Sequence, residues 1–281
     1  MSWTRERSER AGWIIPIGGA EDKIEGRAIL RRFVEVCGGR SATIAVIPTA
    51  SALSDTGPRY RRLFRDLGAR TVEVVTFEER ADCERVEFLR IIEKVDGVFL
   101  TGGNQLRLST IMGGTSAAEL LRRRNEDGLH VAGTSAGAAI LSEHMIAYGE
   151  EGPVPRQGMV AMTQGLGFTN RAIIDQHFQQ RGRLGRLLTA LAFNPQPAGL
   201  GIDEDTAAFI RPDETLEVVG SGAVTVVDAS GVEYSSIDRA HANEAVSILG
   251  LKLHILIDGG TYNFLTREAT SGQRLARSET P

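Results

Sequence analysis

Ser135 lies in the run Ala132-Gly133-Thr134-Ser135-Ala136-Gly137-Ala138, a G-x-S-x-G pattern that follows the short apolar stretch Leu129-His130-Val131 and leads into small, helix-compatible residues at 136–141. Strand, sharp turn and helix in that order lift a serine hydroxyl out of a sheet, where it can act as a nucleophile. A bulky side chain at Gly133 or Gly137 would strike the adjoining backbone. The amide of Ala136 then faces a developing oxyanion, helped by the positive end of the new helix. Thr101-Gly102-Gly103-Asn104-Gln105 offers a second donor at the same rim, the Gly103 amide. Either stretch would also serve as a Gly-rich turn that only packs a helix closely on a sheet.

A neutral serine needs a base. Of the five histidines, His130 lies inside the strand leading to the serine and His144 follows the next helix. His241 sits in a polar loop, and His254 alternates with Leu253 and Ile255 on a late strand. His177 ends the apolar run Ile173-Ile174-Asp175-Gln176-His177 and is the best-placed base, with a buried packing histidine as the competing reading. An orienting acid is sought in Gly201-Ile202-Asp203-Glu204-Asp205. Adjacent carboxylates repel unless donors meet them. Strand alternation sets Glu204 opposite Asp203 and Asp205, so one face at most can serve the imidazole. The order serine, histidine, acid differs from that of α/β-hydrolases.

Arg181, Arg183 and Arg186 follow the histidine, on a helix or an irregular loop. Guanidinium forks beside a base suggest a substrate bearing carboxylates, and a solvated basic face is the plainer alternative. Neither G-x-G-x-x-G nor a P-loop pattern occurs, which argues against a nucleotide-binding module.

The elements that must hold these residues are legible as short β-branched runs at 13–17, 43–47, 72–75 and 98–100, alternating with helical spacing at 28–36, 60–67 and 84–94. This predicts an α/β fold, a mostly parallel sheet with helices on both faces, whose turns at Gly18, Thr49, Gly102 and Gly133 gather at the strand ends. Residues 216–219 and 224–227, joined by Gly220-Ser221-Gly222, read as a hairpin, and 251–257 as a further strand. The expectation is one catalytic domain over 1–281: a parallel core at about 10–210, an antiparallel annex at about 211–265 and a frayed tail at 266–281.

With 42% apolar and 24% charged residues, the 281-residue chain has the composition of a well-packed soluble protein. A net charge of -4 argues against nucleic acid as a partner, although all basic residues except Lys23, Lys94 and Lys252 are arginine. Cys37 and Cys83 read as free thiols. The absence of a signal-like segment or a spanning apolar run predicts a cytoplasmic protein with no membrane contact.

On these motifs the chain resembles the cyanophycinases, serine peptidases of family S51 that are more distantly related to aspartyl dipeptidase. The likeness runs from residues 18–22 to about Val227, through GGNQ at 102–105, GTSAGA at 133–138, DQHF at 175–178 with its arginines, and GIDEDTA at 201–207. It implies a class I glutamine amidotransferase-like fold with Ser135 as nucleophile, His177 as base, Glu204 as orienting acid, and the amides of Gly103 and Ala136 as oxyanion hole. It further implies substrate recognition by Gln105, Asp175, Gln176, Arg181, Arg183 and Arg186, no metal or other cofactor, and a homodimer. The implied substrate is cyanophycin, a poly-aspartate backbone with an arginine on each β-carboxyl, released as β-Asp-Arg dipeptides. The alternative within the family is an aspartyl or isoaspartyl dipeptidase acting on short peptides. Asn104 stands where the family often has an acid, and is expected to serve as a turn residue.

Overall fold

The structure, a computed structural model, describes residues 7–272. The β-branched runs become β1 (Ile14–Ile17), β2 (Thr43–Ile47), β3 (Thr71–Val74), β4 (Gly97–Leu100) and β5 (His130–Thr134), which pair in parallel in the order β1-β5-β4-β2-β3. They are apolar on both faces because helices cover both. On one face α1 (Ala28–Val36) and α2 (Thr56–Asp66) seat Phe33, Tyr60 and Phe64 against Ile15, Ile44 and Phe99. The other face is covered by α3 (Val86–Lys94), α4 (Gln105–Met112), α5 (Ser116–Glu126) and α6 (Ala136–Ala139), which bury Ile92, Leu108 and Leu121 against Ile47, Val98 and Val131. The second helix starts at Thr56, ahead of the apolar periodicity, because Pro58 falls in its first turn, where a missing N–H costs nothing.

The sheet continues antiparallel from β1 through β10 (Thr206–Ile210), β11 (Thr215–Gly220), β16 (Thr261–Asn263) and β17 (Glu268–Thr270), reaching nine strands. A second, four-stranded sheet has the order β15 (Lys252–Leu256), β12 (Val224–Asp228), β9 (Ala198–Ile202), β8 (Ala172–Gln176). One of its faces buries Leu200 and Val226 with Ile210 and Leu216 of the large sheet. Its other face is covered by α7 (Leu184–Phe193), through Leu187 and Leu191 on Ile173 and Val227. Two small antiparallel pairs complete the chain, β6 (His144–Gly149) with β7 (Val160–Gln164), and β13 (Tyr234–Ser235) with β14 (Ile248–Leu249).

The expected hairpin of residues 216–219 with 224–227 does not form. β11 pairs with β10 and β16 in the large sheet, whereas β12 pairs with β9 and β15 in the small one. A Gly-Ser-Gly turn suits a hairpin or a crossing between sheets equally well. The choice falls to the partners that bury Val218 and Val226. Residues 268–270, expected in the polar tail, pair with β16, since a sheet edge tolerates polar side chains. The remainder of that tail, 273–281, lies outside the described residues. Cys37 and Cys83 are both free and buried. No helix among the described residues is long and apolar enough to cross a membrane.

Candidate active site

Ser135 sits between β5 and α6 at φ 53°, ψ -114°, a positive-φ conformation that a residue with a Cβ adopts only under constraint. The constraint is close packing of backbone. A Cβ on Gly133 would lie 1.9 Å from the carbonyl oxygen of Gly137, and one on Gly137 would lie 2.2 Å from that of Leu100. Ser135 Oγ is 2.9 Å from His177 Nε2, and His177 Nδ1 is 2.6 Å from Glu204 Oε1. His177 follows β8, and its amide donates to Gly18 O at 2.8 Å. The imidazole fills the space above Gly19, where a Cβ would fall 2.3 Å from Cε1.

The three side chains come from three places. Ser135 rises from the large sheet, His177 from the end of the small sheet, and Glu204 from the turn in which the chain leaves β9 for β10. The site therefore lies on the seam between the sheets. The acids at 203–205 occupy that turn, not a strand, so the expected alternation does not apply. Each carboxylate has its own donors. Asp203 accepts from the amides of Gln179 at 3.0 Å and Ala223 at 3.2 Å, and Asp205 from the Asp22 amide at 2.8 Å and Ser221 Oγ at 2.7 Å. Glu204 alone turns to the imidazole.

With Nδ1–H donated to Glu204, Nε2 is left as an acceptor for the Ser135 hydroxyl proton. The Gly102-Gly103 turn abuts the serine, since a Cβ on Gly102 would lie 3.3 Å from Ser135 Cβ. Among the described residues neither the Gly103 nor the Ala136 amide donates to a backbone acceptor, leaving both open to an oxyanion. Asn104 caps α4, its side chain accepting from the amides of Leu106 and Arg107 at 2.9 and 3.4 Å. No cluster of His, Cys, Asp and Glu able to hold a metal occurs among the described residues.

The other expected site residues divide. Gln105 Nε2 donates to Ala147 O at 2.8 Å. Asp175 is buried in a fork with Arg186, whose Nε donates to Oδ2 at 2.6 Å and whose Nη2 donates to Oδ1. Arg183 Nη1 lies 3.6 Å from the same carboxylate and also donates to the side chain of Gln176. The side chains of Arg183 and Arg186 are only 7% and 5% exposed. Burial, and next the charge of Arg186, lower the Arg183 pKa to about 10. Arg181 stands at the surface, lining a second cavity of about 570 Å³ with Phe178 and Leu253.

Ser135 and His177 open instead into a cleft of about 790 Å³ walled by the loop after β1 and by α2. Sequence reasoning placed the turn at Gly18 at this rim but missed α2 and the side chains of Glu21, Arg27, Arg59 and Arg62 that line the cleft. Glu21, 3% exposed, accepts from Thr134 Oγ1 at 2.6 Å and from the Tyr60 hydroxyl, and its carboxylate pairs with Lys23 Nζ at 3.1 Å. It thereby ties both walls to the residue preceding the serine. Burial and the adjacent Glu21 carboxylate push the Tyr60 hydroxyl pKa well up. The one available signal was an acid two residues past the Gly-Gly turn that ends an apolar strand.

Residues 14–218 match the family described as Peptidase family S51. The chain belongs to peptidase family S51. This S51 peptidase is 43% identical over 267 residues to the cyanophycinase of Synechococcus elongatus, covering 94% of this chain and 83% of that one. It is 41% identical over 261 residues to the cyanophycinase of Geminocystis herdmanii, covering 92% and 96% respectively. Its fold is similar to that of a peptidase from an acI-B1 Actinobacterium, with a TM-score of 0.64 at 21% identity over 94% of this chain and 98% of the other. The S51 match spans Ser135, His177 and Glu204 and ends within β11.

Proposed function

We propose that this S51 peptidase is a cyanophycinase, a serine exopeptidase that hydrolyses the poly-aspartate backbone of cyanophycin to β-Asp-Arg dipeptides. The observation that carries the reading is the unbroken chain of contacts from Ser135 Oγ through His177 to Glu204. Identity above 40% to named cyanophycinases over most of the chain supports the polymer over short peptides as substrate.

Ser135 Oγ attacks the α-carbonyl carbon of a backbone aspartate as its proton passes to His177 Nε2. The carbonyl electron pair moves onto oxygen, which the Gly103 and Ala136 amides receive. Collapse breaks the peptide C–N bond, and the imidazolium protonates the leaving amine. Water then repeats the sequence on the ester and frees Ser135. Glu204 keeps Nδ1–H in place and stabilises the imidazolium. No metal or other cofactor takes part in this scheme.

Arg181 meets substrate from the surface in this reading, while Gln105, Asp175, Gln176, Arg183 and Arg186 shape the wall behind the base. A homodimer and a cytoplasmic location belong to the same reading. So does a class I glutamine amidotransferase-like fold, which a serine at a strand-to-helix turn of a helix-covered parallel sheet supports.

The test is to incubate the purified protein with insoluble cyanophycin and identify soluble products by mass. Ser135→Ala should lower β-Asp-Arg release by at least about 10⁴-fold while keeping the fold. Undiminished release overturns the mechanism. Faster turnover of free aspartyl dipeptides than of polymer would favour the dipeptidase reading.

A further inference from the structure

The walls of the catalytic cleft carry four cations, Lys23, Arg27, Arg59 and Arg62, against two carboxylates, Glu21 and Asp66, in a chain whose net charge is -4. Lys23 is matched, since its ammonium pairs with buried Glu21 and lies over the Tyr60 ring. The guanidinium groups of Arg27, Arg59 and Arg62 have no ion-pair partner among the described residues, whereas Arg32, Arg183 and Arg186 all meet carboxylates. Arg27 Nε is in addition a buried donor without an acceptor. Arg124, Arg171, Arg183 and Arg211 also leave Nε unpartnered, so what marks this wall is the open donor of Arg27 together with the excess of positive charge in the cleft, a combination that favours an anion.

Arg27 is also held in place. Asp22 accepts the amides of Ile24 at 2.8 Å, Glu25 at 3.1 Å, Gly26 at 2.6 Å and Arg27 at 3.0 Å, bonds that draw its own pKa far down. The Asp22 amide in turn donates to Asp205, next to Glu204, so the loop presenting Arg27 is tied to the turn presenting the triad acid. Arg59 and Arg62, three apart on α2, share a face directed into the same cleft, while Arg61 between them does not line it.

We propose that Arg27, with Arg59 and Arg62, forms a carboxylate subsite that grips the free carboxylates of the arginine branches of the substrate beside Ser135. The assignment rests on the cyanophycinase reading for the source of the carboxylate. The guanidinium ends of those branches would be repelled by this wall and must be seated elsewhere. Arg27 contributes most, because partial burial protects its interaction from solvent.

The test measures binding separately from turnover. A synthetic tri-aspartyl peptide carrying an arginine on each β-carboxyl is titrated calorimetrically into Ser135→Ala protein. Arg27→Gln should weaken binding about tenfold, Arg59→Gln with Arg62→Gln about threefold, and Arg27→Lys should recover part of the loss. Capping the arginine carboxylates as amides should abolish the difference between unsubstituted and substituted proteins, as should high salt in large part. In the enzyme with Ser135 intact, the same substitutions should raise KM for the peptide and leave kcat within about twofold. Kd values unmoved by the substitutions, or equally moved for capped and uncapped peptide, overturn the subsite. Failure of unsubstituted enzyme to release β-Asp-Arg, with the carboxylate-dependent binding intact, overturns the cyanophycinase reading alone.

Discussion

Arg183 and Arg186 follow His177 closely in sequence yet are buried on Asp175, while Arg27, Arg59 and Arg62 come from distant segments and face the cleft that holds Ser135 and His177. The two groups are chemically alike and differ in compensation. The first is a buried cluster whose charges are already matched by Asp175, although Arg183 Nε has no acceptor. The second keeps its hydrogen-bonding capacity for a ligand. Nearness to a catalytic residue along the chain therefore says little about which arginines can reach a substrate.

That contrast is most directly broken at Asp175. Asp175→Ala leaves two buried guanidinium groups unmatched and should cost about 3–5 kcal/mol. A melting temperature lowered by roughly 10 °C would register it, and an unchanged melting curve would show that these arginines are not held as charges. On the cleft side, position should matter more than stability. Gly19→Ala drives a Cβ toward the His177 ring and should lower kcat about 10²-fold with KM changed far less. A loss confined to KM would count against a displaced base.

His130 tests the rule that the interior resists an unmatched charge. Its Nδ1 accepts the Trp13 amide at 3.0 Å, and burial lowers its pKa from the ordinary 6.5 to about 4. Between those values the unfolded chain binds the extra proton, so stability is full above about pH 6.5 and declines as pH falls toward 4. Urea midpoints at pH 7 and 4.5 should reveal a stability loss about 1–2 kcal/mol greater in the unsubstituted protein than in His130→Asn. The smallest effect is expected from Arg59→Gln, whose stability should stay within about 0.5 kcal/mol while affinity for substrate falls. A large destabilisation there would place Arg59 in the compensated class and erase the contrast.

Much of this was legible in the chain. The runs at 13–17, 43–47 and 98–100 became buried parallel strands, and the helix over 28–36 matched its apolar periodicity, because both signals are local and both faces of the sheet demand apolar residues. The turn at Ser135 was equally readable, since the small residues around it answer to contacts within one strand-turn-helix unit. The crossing after Gly220 was not, because its turn residues permit a hairpin as readily as a change of sheet. The separate donors of Asp203 and Asp205 were hidden for a similar reason, as they come from residues 22, 179, 221 and 223.

Residue types and their short-range spacing determined the strand-turn-helix at Ser135, the candidate base and the strand-helix alternation, all of which depend on neighbours a few positions away. Which acid reaches the imidazole, which arginines are neutralised and which wall the cleft shows to a ligand were decided only when two sheets met along a seam. Burial, hydrogen-bond partners and uncompensated charge are properties of what packs against a residue, and those partners lie far off along the chain.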